Sequence, residues 1–264
     1  MDPFPWKRVQ KALTQYARHH NLPKNRTQEV IDLLPKLVEL SGNYTCNRSM
    51  VIRIGETLLA HRKPRFLVPS CPAYAYRSGR YTFQGVGMGV PLLTMLHVKF
   101  LRKVLEILPS LKVTILVANQ EAEDLAICAK AGIDQEEFRR RILTSLERTQ
   151  RLVRPLGWDA AAMTEFIPNF LGQEKQTMEW IAGHAAFRGH VLADTLARVA
   201  LYRRIGEFTD EEKVRRTIRT AAQYVVLGRF AESQDFLICN HTTTSLAWYL
   251  KTRVGLLHNP VTVY

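Results

Sequence analysis

Apolar side chains in the first 62 residues recur every three or four positions, which is the spacing of one helix face. The pattern occupies three stretches in turn: WKRVQKALTQYARHH, TQEVIDLLPKLVELSG and MVIRIGETLLAHR. Thr27 is a suitable N-cap for the second stretch, and Pro35 is expected to interrupt it. The pattern therefore predicts a helical N-terminal extension over residues 1–62.

Beyond Pro64 the pattern changes to alternating strands and helices. RFLVPS ends at Ser70, PLLTMLHVKFLRKVLEIL has helical spacing, and KVTILVAN follows. A continuous apolar, β-branched run such as the last is typical of a strand buried on both faces. A strand, a helix and a second strand in this order predict a right-handed parallel unit.

Helical spacing continues through residues 135–154, where Asp134 is the expected N-cap, and through one long helix over 173–208. Thr209 and Glu212 form a capping box for a further helix. The chain then returns to strands in DFLICN and VGLLHNPVTVY, on either side of a helical TTTSLAWYLKTR.

These elements predict an α/β fold, in which a Rossmann-like parallel sheet is sandwiched by helices. The sheet and its helices would form a catalytic domain over residues 63–264, preceded by the N-terminal helical extension. Ligands of such sheets bind at the carboxyl ends of the strands.

The net charge of the chain indicates a polyanionic partner. The chain has 37 Lys and Arg against 24 Asp and Glu, a net charge of +13, which is the balance expected of a protein that meets a polyanion. A basic but otherwise ordinary surface is the alternative interpretation. No apolar run approaches the roughly 20 residues of a membrane span, and no secretory signal precedes the first helix. We therefore expect a soluble, cytoplasmic protein with no membrane partner.

Cysteine spacing and the glycine-rich loop argue against cofactors. The four cysteines lie far apart without a CxxC pair, so neither a disulfide framework nor a metal site is expected. The loop QGVGMGVP is neither G-x-G-x-x-G nor a P-loop, since it lacks the Lys and the Ser or Thr of the latter. It is interpreted as a flexible or tightly turning loop, and the alternative is a phosphate held by the exposed amides at the start of the following helix.

A basic stripe is predicted on the helix that starts at Asp134. Phe138, Ile142 and Leu146 supply its apolar side. The arginines of the stripe are suited to a phosphate backbone, and an ordinary solvated helix face is the alternative. They are Arg139, Arg140, Arg141, Arg148, Arg151 and Arg154.

Ser70 is the candidate nucleophile in RFLVPSCPAYAYRSGRYTF, because it lies where a buried strand ends and the chain turns irregular. Cys71 would face the other way if the strand continued. No G-x-S-x-G elbow is present, which argues against an α/β-hydrolase. On residue type alone, a serine here is structural more often than nucleophilic.

In this order of elements the chain resembles the tRNA-dependent cyclodipeptide synthases, whose fold is similar to the catalytic domain of class I aminoacyl-tRNA synthetases. The resemblance runs over about residues 65–252. It is carried by RFLVPS ending in Ser70, by KVTILVAN, and by the arginine-rich helix. Later, QYVVLGRF supplies Tyr224 and NHTTTSLAWYL supplies Tyr249. The glutamate of the family's YVLxE helix corresponds to Gly228 here, with Glu232 one helical turn later, and the family's Asn-Ser pair after the nucleophile is absent.

The resemblance implies an aminoacyl-tRNA-dependent acyl transferase that forms a cyclic dipeptide through a serine-bound aminoacyl-enzyme. Ser70 would be the nucleophile, Tyr224 would hold the amino group and Tyr249 would assist proton transfer. Glu232 would be the carboxylate for the ammonium group, and the arginines would meet tRNA. No cofactor is implied, because the ester of a charged tRNA is already activated. The expected substrate-binding residues are Tyr74, Tyr76, Asn119 and His241.

Two alternatives stay open. The segment VPSCPAYAYRSGRYTFQGVGMGVP before a helix and VTILVAN is similar to the isonitrile synthase family, which acts on a free amino acid. A tRNA-binding module without catalysis is the other, and in that case the end of RFLVPS is only a strand end. Oligomeric state and the identity of the amino acids are not determined by the sequence.

Overall fold

The computed structural model describes ten ranges of the chain. These are residues 4–41, 48–70, 74–77, 80–83, 89–125, 128–129, 132–186, 188–189, 210–240 and 256–258. The predicted site residues His241 and Tyr249 lie outside the described residues.

Eight helices and seven strands are used below. The helices are α1 (Trp6–His19), α2 (Lys24–Ser41), α3 (Arg48–Leu59), α4 (Leu92–Ile107), α5 (Gln135–Val153), α6 (Met163–Phe166), α7 (Phe170–Gly183) and α8 (Asp210–Ser233). The strands are β1 (Arg65–Ser70), β2 (Tyr74–Arg77), β3 (Arg80–Phe83), β4 (Lys112–Val117), β5 (Asp159–Ala162), β6 (Leu237–Asn240) and β7 (Leu256–His258). Short 3₁₀ turns cover Asn119–Glu123 and Arg154–Leu156.

Five strands form one sheet in the order β5-β4-β1-β6-β7, and every neighbouring pair is parallel. Phe66 is paired with Val113 on one side and with Leu237 on the other, so β1 is the central strand. Along the chain this is the doubly wound order, in which connections run first one way from β1 and then the other. The predicted Rossmann-like parallel sheet with flanking helices is confirmed.

The two faces of the sheet bury different side chains because successive residues of a strand point to opposite sides. Phe66 and Val68 belong to the core that α4, α5 and the N-terminal helices complete. Leu67 packs on the other face, in a cluster that includes side chains of α6, α7 and α8. The sheet is thus covered on both sides, as an all-parallel sheet requires.

The N-terminal helices share their core with the sheet. Side chains of α1, α2 and α3 lie in the same apolar cluster as those of β1, β4 and α4. Gly55 allows α3 to approach α1 closely, since a Cβ atom there would lie 2.6 Å from Leu13 Cδ2. Arg53 and Arg62 both pair with Asp235, just before β6. The boundary at residue 62 stays a prediction, and the extension is packed on the body of the protein.

Several local expectations are corrected. Helix α2 begins at Lys24, so Thr27 lies inside it, where its hydroxyl donates to Pro23 O, and the helix continues through Pro35. Burial of Leu34 and Leu37 compensates for the hydrogen bond that Pro35 cannot donate. The Asp134 cap is confirmed, since its carboxylate accepts from Glu137 N.

The segment after Ser70 is not wholly irregular. Strands β2 and β3 form an antiparallel hairpin in which Tyr76 is paired with Tyr81. Alternating aromatic and polar residues on both sides of Ser78-Gly79 are a hairpin signal. Further along, the predicted helix over 173–208 begins earlier, at Phe170, and is interrupted at His184, which has extended backbone angles. Residues 185–186 and 188–189 are helical again, and the remainder of the predicted helix lies outside the described residues.

Strand β5 was missed by the sequence analysis. Its sequence, DAAA, has the residue with the highest helix propensity at three of its four positions. Pairing of Ile115 in β4 with Ala160 overrides that preference, because the edge of the sheet supplies hydrogen-bond partners that a short isolated helix lacks.

A buried ion-pair cluster joins α7 and α8 to the 3₁₀ turn that follows β4. Asp124 and Glu174 are both buried, and Arg219 contacts the two carboxylates at 3.2 and 2.9 Å. Arg216 lies 3.1 Å from Asp124, and Arg219 also donates to Gln120 O. Burial disfavours the Arg219 charge, but its hydrogen bond to Glu174 and the nearby carboxylates raise its pKa above the ordinary value.

Replacement of Arg219 by Ala should destabilise the protein by about 3–5 kcal/mol, because it leaves two buried carboxylates without their shared cation. Urea unfolding measures the loss. Arg215→Ala, at an exposed position of the same helix, is the matched control and should cost less than about 0.5 kcal/mol. Equal losses in the two variants would contradict a structural role for the cluster.

Candidate active site

The order of the strands reverses at the junction of β1 and β6. Connections from β1 lead to β4 on one side, whereas β6 pairs on the other side. Helices that leave such a junction in opposite directions open a crevice at the carboxyl ends of the two strands. Ser70 is the last residue of β1 and therefore lies at this edge.

Ser70 is held in place by its main chain and by its side chain. Its carbonyl oxygen accepts a hydrogen bond of 2.9 Å from Ala118 N, just beyond β4. Its Oγ lies 2.5 Å from Thr94 Oγ1, and either hydroxyl can be the donor. The residue is only 1% exposed. The serine hydroxyl is thus fixed in a buried position with a second hydroxyl as its partner.

Thr94 is the third residue of α4, so it brings Ser70 next to the N-terminal end of that helix. The amides of a helix's first turn have no acceptor within the helix, and the helix dipole makes this end positive. Negative charge that develops near Ser70 Oγ would therefore be stabilised. A threonine hydroxyl is too weak a base to remove the serine proton by itself.

His97 lies one turn after Thr94 on the same face of α4 and is fully buried. Its Nδ1 is 3.9 Å from Cys239 Sγ in β6. Burial raises the pKa of the Cys239 thiol well above its usual range, so this cysteine is a neutral packing residue at physiological pH. Ser70, Thr94, His97 and Cys239 form what we call the serine cluster, which spans the β1–β6 junction on one face of the sheet.

Thr94 and His97 were missed by the sequence analysis. The signal was present: both are polar residues, three positions apart, in a helix that is otherwise apolar on that side. This signal predicts a contact with Ser70 only if α4 is known to pack against β1, and the sequence does not show that packing.

Asn119 follows β4, but its amide is occupied by the protein itself. Its Nδ2 donates to Thr164 Oγ1 at 2.6 Å, and its Oδ1 accepts from Thr164 N at 3.1 Å. These bonds attach the start of α6 to the end of β4. We therefore assign Asn119 a structural role, and we do not retain it as a proposed substrate-binding residue.

Tyr224 and Glu232 lie on α8, which packs against the face of the sheet opposite the serine cluster. Tyr224 is half-buried against the cluster around Leu67. Glu232 is exposed near the end of α8, three residues before Asp235. Asp235 pairs with Arg62 near the start of β1, whereas Ser70 is at the other end of that strand. The structure does not bring Glu232 to Ser70, and we do not retain it as a site residue.

Helix α5 has the predicted apolar side, since Phe138, Ile142 and Leu146 are buried. Its arginines, however, are largely paired with carboxylates. Arg139 contacts Glu123 at 2.8 Å, Arg140 and Arg141 contact Glu137 at 2.6 Å each, and Arg151 is 3.9 Å from Glu147. The stripe therefore presents less free positive charge than its number of arginines suggests.

For the predicted substrate-binding residues Tyr74 and Tyr76, the structure describes the backbone only. Tyr74 and Tyr76 belong to β2 of the hairpin that follows Ser70. Gly89, at the end of the glycine loop, has its carbonyl fixed by the buried Ser145 hydroxyl of α5 at 2.9 Å.

Within the described ranges no group of three or more His, Cys, Asp and Glu side chains is arranged to hold a metal ion. Among the helices in those ranges, none combines the length and the apolar character that crossing a bilayer requires.

Comparison with known proteins gives distant structural likenesses. No family model and no curated protein matches the chain. A CDPS from Staphylococcus haemolyticus matches with 13% identity and a TM-score of 0.44, over 74% of this chain and 90% of that one. A cyclodipeptide synthase from Bacillus thermoamylovorans matches with 14% identity and a TM-score of 0.47, over 74% and 87%. The PvcA protein from Pseudomonas aeruginosa matches with 13% identity and a TM-score of 0.48, over 98% and 84%.

Two of these structures are of the family that the sequence resembles. At 13–14% identity and TM-scores below 0.5, the activity of this chain has to be argued from its own residues.

The Ser70–Thr94 hydroxyl pair should be visible in a double-mutant cycle. Ser70→Ala or Thr94→Val alone leaves a buried hydroxyl without its partner and should cost about 1–3 kcal/mol. The double variant should cost less than the sum, with a coupling of about 1 kcal/mol in urea unfolding. Additive losses would show that the two hydroxyls do not interact.

The pairing of the α5 arginines predicts an acidic titration. Hydrogen bonds from Arg140 and Arg141 lower the pKa of Glu137 to about 2, from an ordinary 4.5. Because the folded-state pKa is lowered, the ion pairs are fully present above about pH 4.5 and are lost as the pH falls toward 2. NMR titration of the Glu137 side chain measures this. Arg141→Ala should raise the pKa, and a titration near 4.5 in the unaltered protein would contradict the pairing.

Proposed function

We propose that the protein is an acyl transferase that accepts aminoacyl groups from charged tRNA and joins two of them in a cyclic dipeptide. The observation that carries the proposal is the position of Ser70: a buried hydroxyl at the carboxyl end of the central strand, beside the strand-order reversal and 2.5 Å from Thr94 Oγ1. The resemblance of the sequence to cyclodipeptide synthases names the substrate, and the parallel sheet is the fold that this resemblance implies.

The reaction would proceed by three acyl transfers. Ser70 Oγ attacks the ester carbonyl of a first aminoacyl-tRNA, a serine ester forms, and the tRNA hydroxyl leaves with the serine proton. The amine of a second aminoacyl-tRNA then attacks the serine ester, which forms an amide and restores the Ser70 hydroxyl. Finally the free amine of the dipeptide attacks its own tRNA ester, closes the ring and releases the second tRNA.

Each step exchanges an ester for an ester or an amide, so the activated bond supplied by the tRNA is sufficient. Thr94 is the positioning residue in this scheme, because its hydroxyl orients Ser70 Oγ. The N-terminal end of α4 would stabilise the oxyanion of each tetrahedral intermediate. The burial of Ser70 strengthens these interactions, since water does not screen them there.

Tyr224 is retained as the proposed contact for the amino group and Tyr249 as the proposed proton carrier. Tyr74, Tyr76 and His241 are retained as proposed substrate contacts. We propose that tRNA contacts the second half of the basic stripe through Arg148, Arg151 and Arg154, all of which are at exposed positions. Aminoacyl-tRNA as the substrate would place the protein in the cytoplasm.

A second candidate is an isonitrile synthase-like enzyme that acts on a free amino acid. The pairing of Arg139, Arg140 and Arg141 with carboxylates favours it, because these three side chains were the densest part of the predicted tRNA contact. It requires no RNA.

Incubation of the purified protein with charged tRNA should give a covalent aminoacyl adduct on Ser70, visible by intact-protein mass spectrometry, and a cyclic dipeptide in solution. Ser70→Ala should abolish the adduct and lower product formation by about 10³-fold or more, because the acceptor atom is lost. Ser145→Ala, which removes an equally buried hydroxyl from α5, is the matched control and should keep both.

Treatment with RNase separates the candidates. Loss of product after RNase is expected for the acyl transferase, whereas product from a free amino acid that survives RNase would support the second candidate. Product formation by Ser70→Ala at the rate of the unaltered protein would remove the serine from the mechanism.

A further inference from the structure

The first helix carries a basic surface without acidic residues. Between residues 4 and 27 there is no Asp or Glu. Helix α1 has four Lys and Arg side chains, whereas α5 has five arginines together with three glutamates. All four cations of α1 are exposed: Lys7, Arg8, Lys11 and Arg18. The N-terminal helix therefore has the higher net positive charge.

Three of these cations form one stripe. Lys7, Lys11 and Arg18 are spaced by four and seven residues, which places them on the same side of a helix, and Arg8 lies beside them. At 1.5 Å per residue the stripe is about 16 Å long, enough for several phosphates of one nucleic-acid strand. We call it the N-terminal stripe.

The cations of the N-terminal stripe have no carboxylate partner among the described residues. No ion pair there includes Lys7, Lys11 or Arg18, in contrast to the arginines of α5 that bind Glu123 and Glu137. A cation that is not already paired loses no internal partner when it contacts a phosphate.

The opposite side of α1 is buried in the protein. Val9, Leu13 and Ala17 are no more than 5% exposed, and Leu13 packs against α3 at Gly55. An amphipathic helix that binds a lipid surface inserts its apolar side, and that side is occupied here. The same packing fixes the position of the α1 backbone on the surface of the protein, since α3 is itself attached through Arg53 to Asp235.

We infer that the N-terminal stripe binds the phosphate backbone of RNA, and that, if the proposed function holds, this RNA is the tRNA of the substrate. The contacts would be electrostatic and independent of base sequence. The helical extension would then provide a tRNA-binding surface in addition to α5.

The test is the binding of uncharged tRNA by fluorescence anisotropy at a series of salt concentrations. The variant Lys7→Gln/Lys11→Gln/Arg18→Gln should bind about 10-fold or more weakly at 0.1 M salt. The slope of log K against log salt should fall in magnitude by about 2–3, because each of the three lost phosphate contacts removes about 0.7–0.9. Circular dichroism should show an unchanged fold, since all three side chains are exposed.

The matched control is Lys36→Gln/Lys63→Gln/Lys175→Gln, which removes the same charge from three exposed lysines on separate parts of the chain. It should change the affinity less than twofold. An equal loss in both variants would mean that only net charge matters, and it would overturn the stripe, as would no loss in either.

Anionic phospholipid vesicles provide the other arm. Cosedimentation that the stripe variant loses while its tRNA affinity is unchanged would assign the surface to a membrane and overturn the inference. Because the assay uses uncharged tRNA, it does not depend on the chemistry. If the protein binds tRNA through the stripe but forms no product, the result supports the stripe and counts against the proposed reaction. If the protein forms product and the stripe variant binds tRNA with unchanged affinity, the result supports the reaction and overturns the stripe.

Discussion

Strand β1 is paired along both of its edges and covered on both of its faces, and the rest of the structure is arranged around that constraint. Pairing with β4 and β6 leaves no free edge, so the strand has one register, set by Phe66 against Val113 and Leu237. Burial of Phe66 and Leu67 on opposite faces requires a helical layer on each side. Ser70 inherits its position from this arrangement, because it is the residue at which the strand ends.

The serine cluster contains a buried hydroxyl that is hydrogen-bonded within the protein and also lies beside the N-terminal end of a helix. A hydroxyl at 1% exposure has to be hydrogen-bonded, and Thr94 provides the partner. The same contact places Ser70 beside the start of α4, where the first-turn amides are without helical acceptors. Packing alone is thus a sufficient reason for the threonine, and the location beside the strand-order reversal is the reason for the chemical role that we propose for Ser70.

Charge is distributed differently from what residue counts indicate. The arginines of α5 were the most conspicuous basic feature of the sequence, yet Glu123 and Glu137 engage three of them. Helix α1 has fewer cations and no acids, and its apolar side is turned into the core. Affinity for a polyanion depends on cations that are exposed and not already paired, so the tertiary contacts of a basic helix matter as much as its composition.

The sequence by itself determined the central strands, the helices between them and the parallel class of the sheet, since continuous apolar runs and helical periodicity are local signals. It also singled out Ser70 as a strand-end residue. The sequence did not predict strand β5, because an alanine-rich segment becomes a strand only where the edge of β4 is available for pairing.

Only the tertiary structure decided which side chains meet. The contact of Ser70 with Thr94 spans 24 residues, and the contact of Arg219 with Asp124 spans 95. Glu232 lies far from Ser70 because of the direction in which α8 runs relative to β6. Such contacts depend on how helices pack on the sheet, which the periodicity of a single chain segment does not specify.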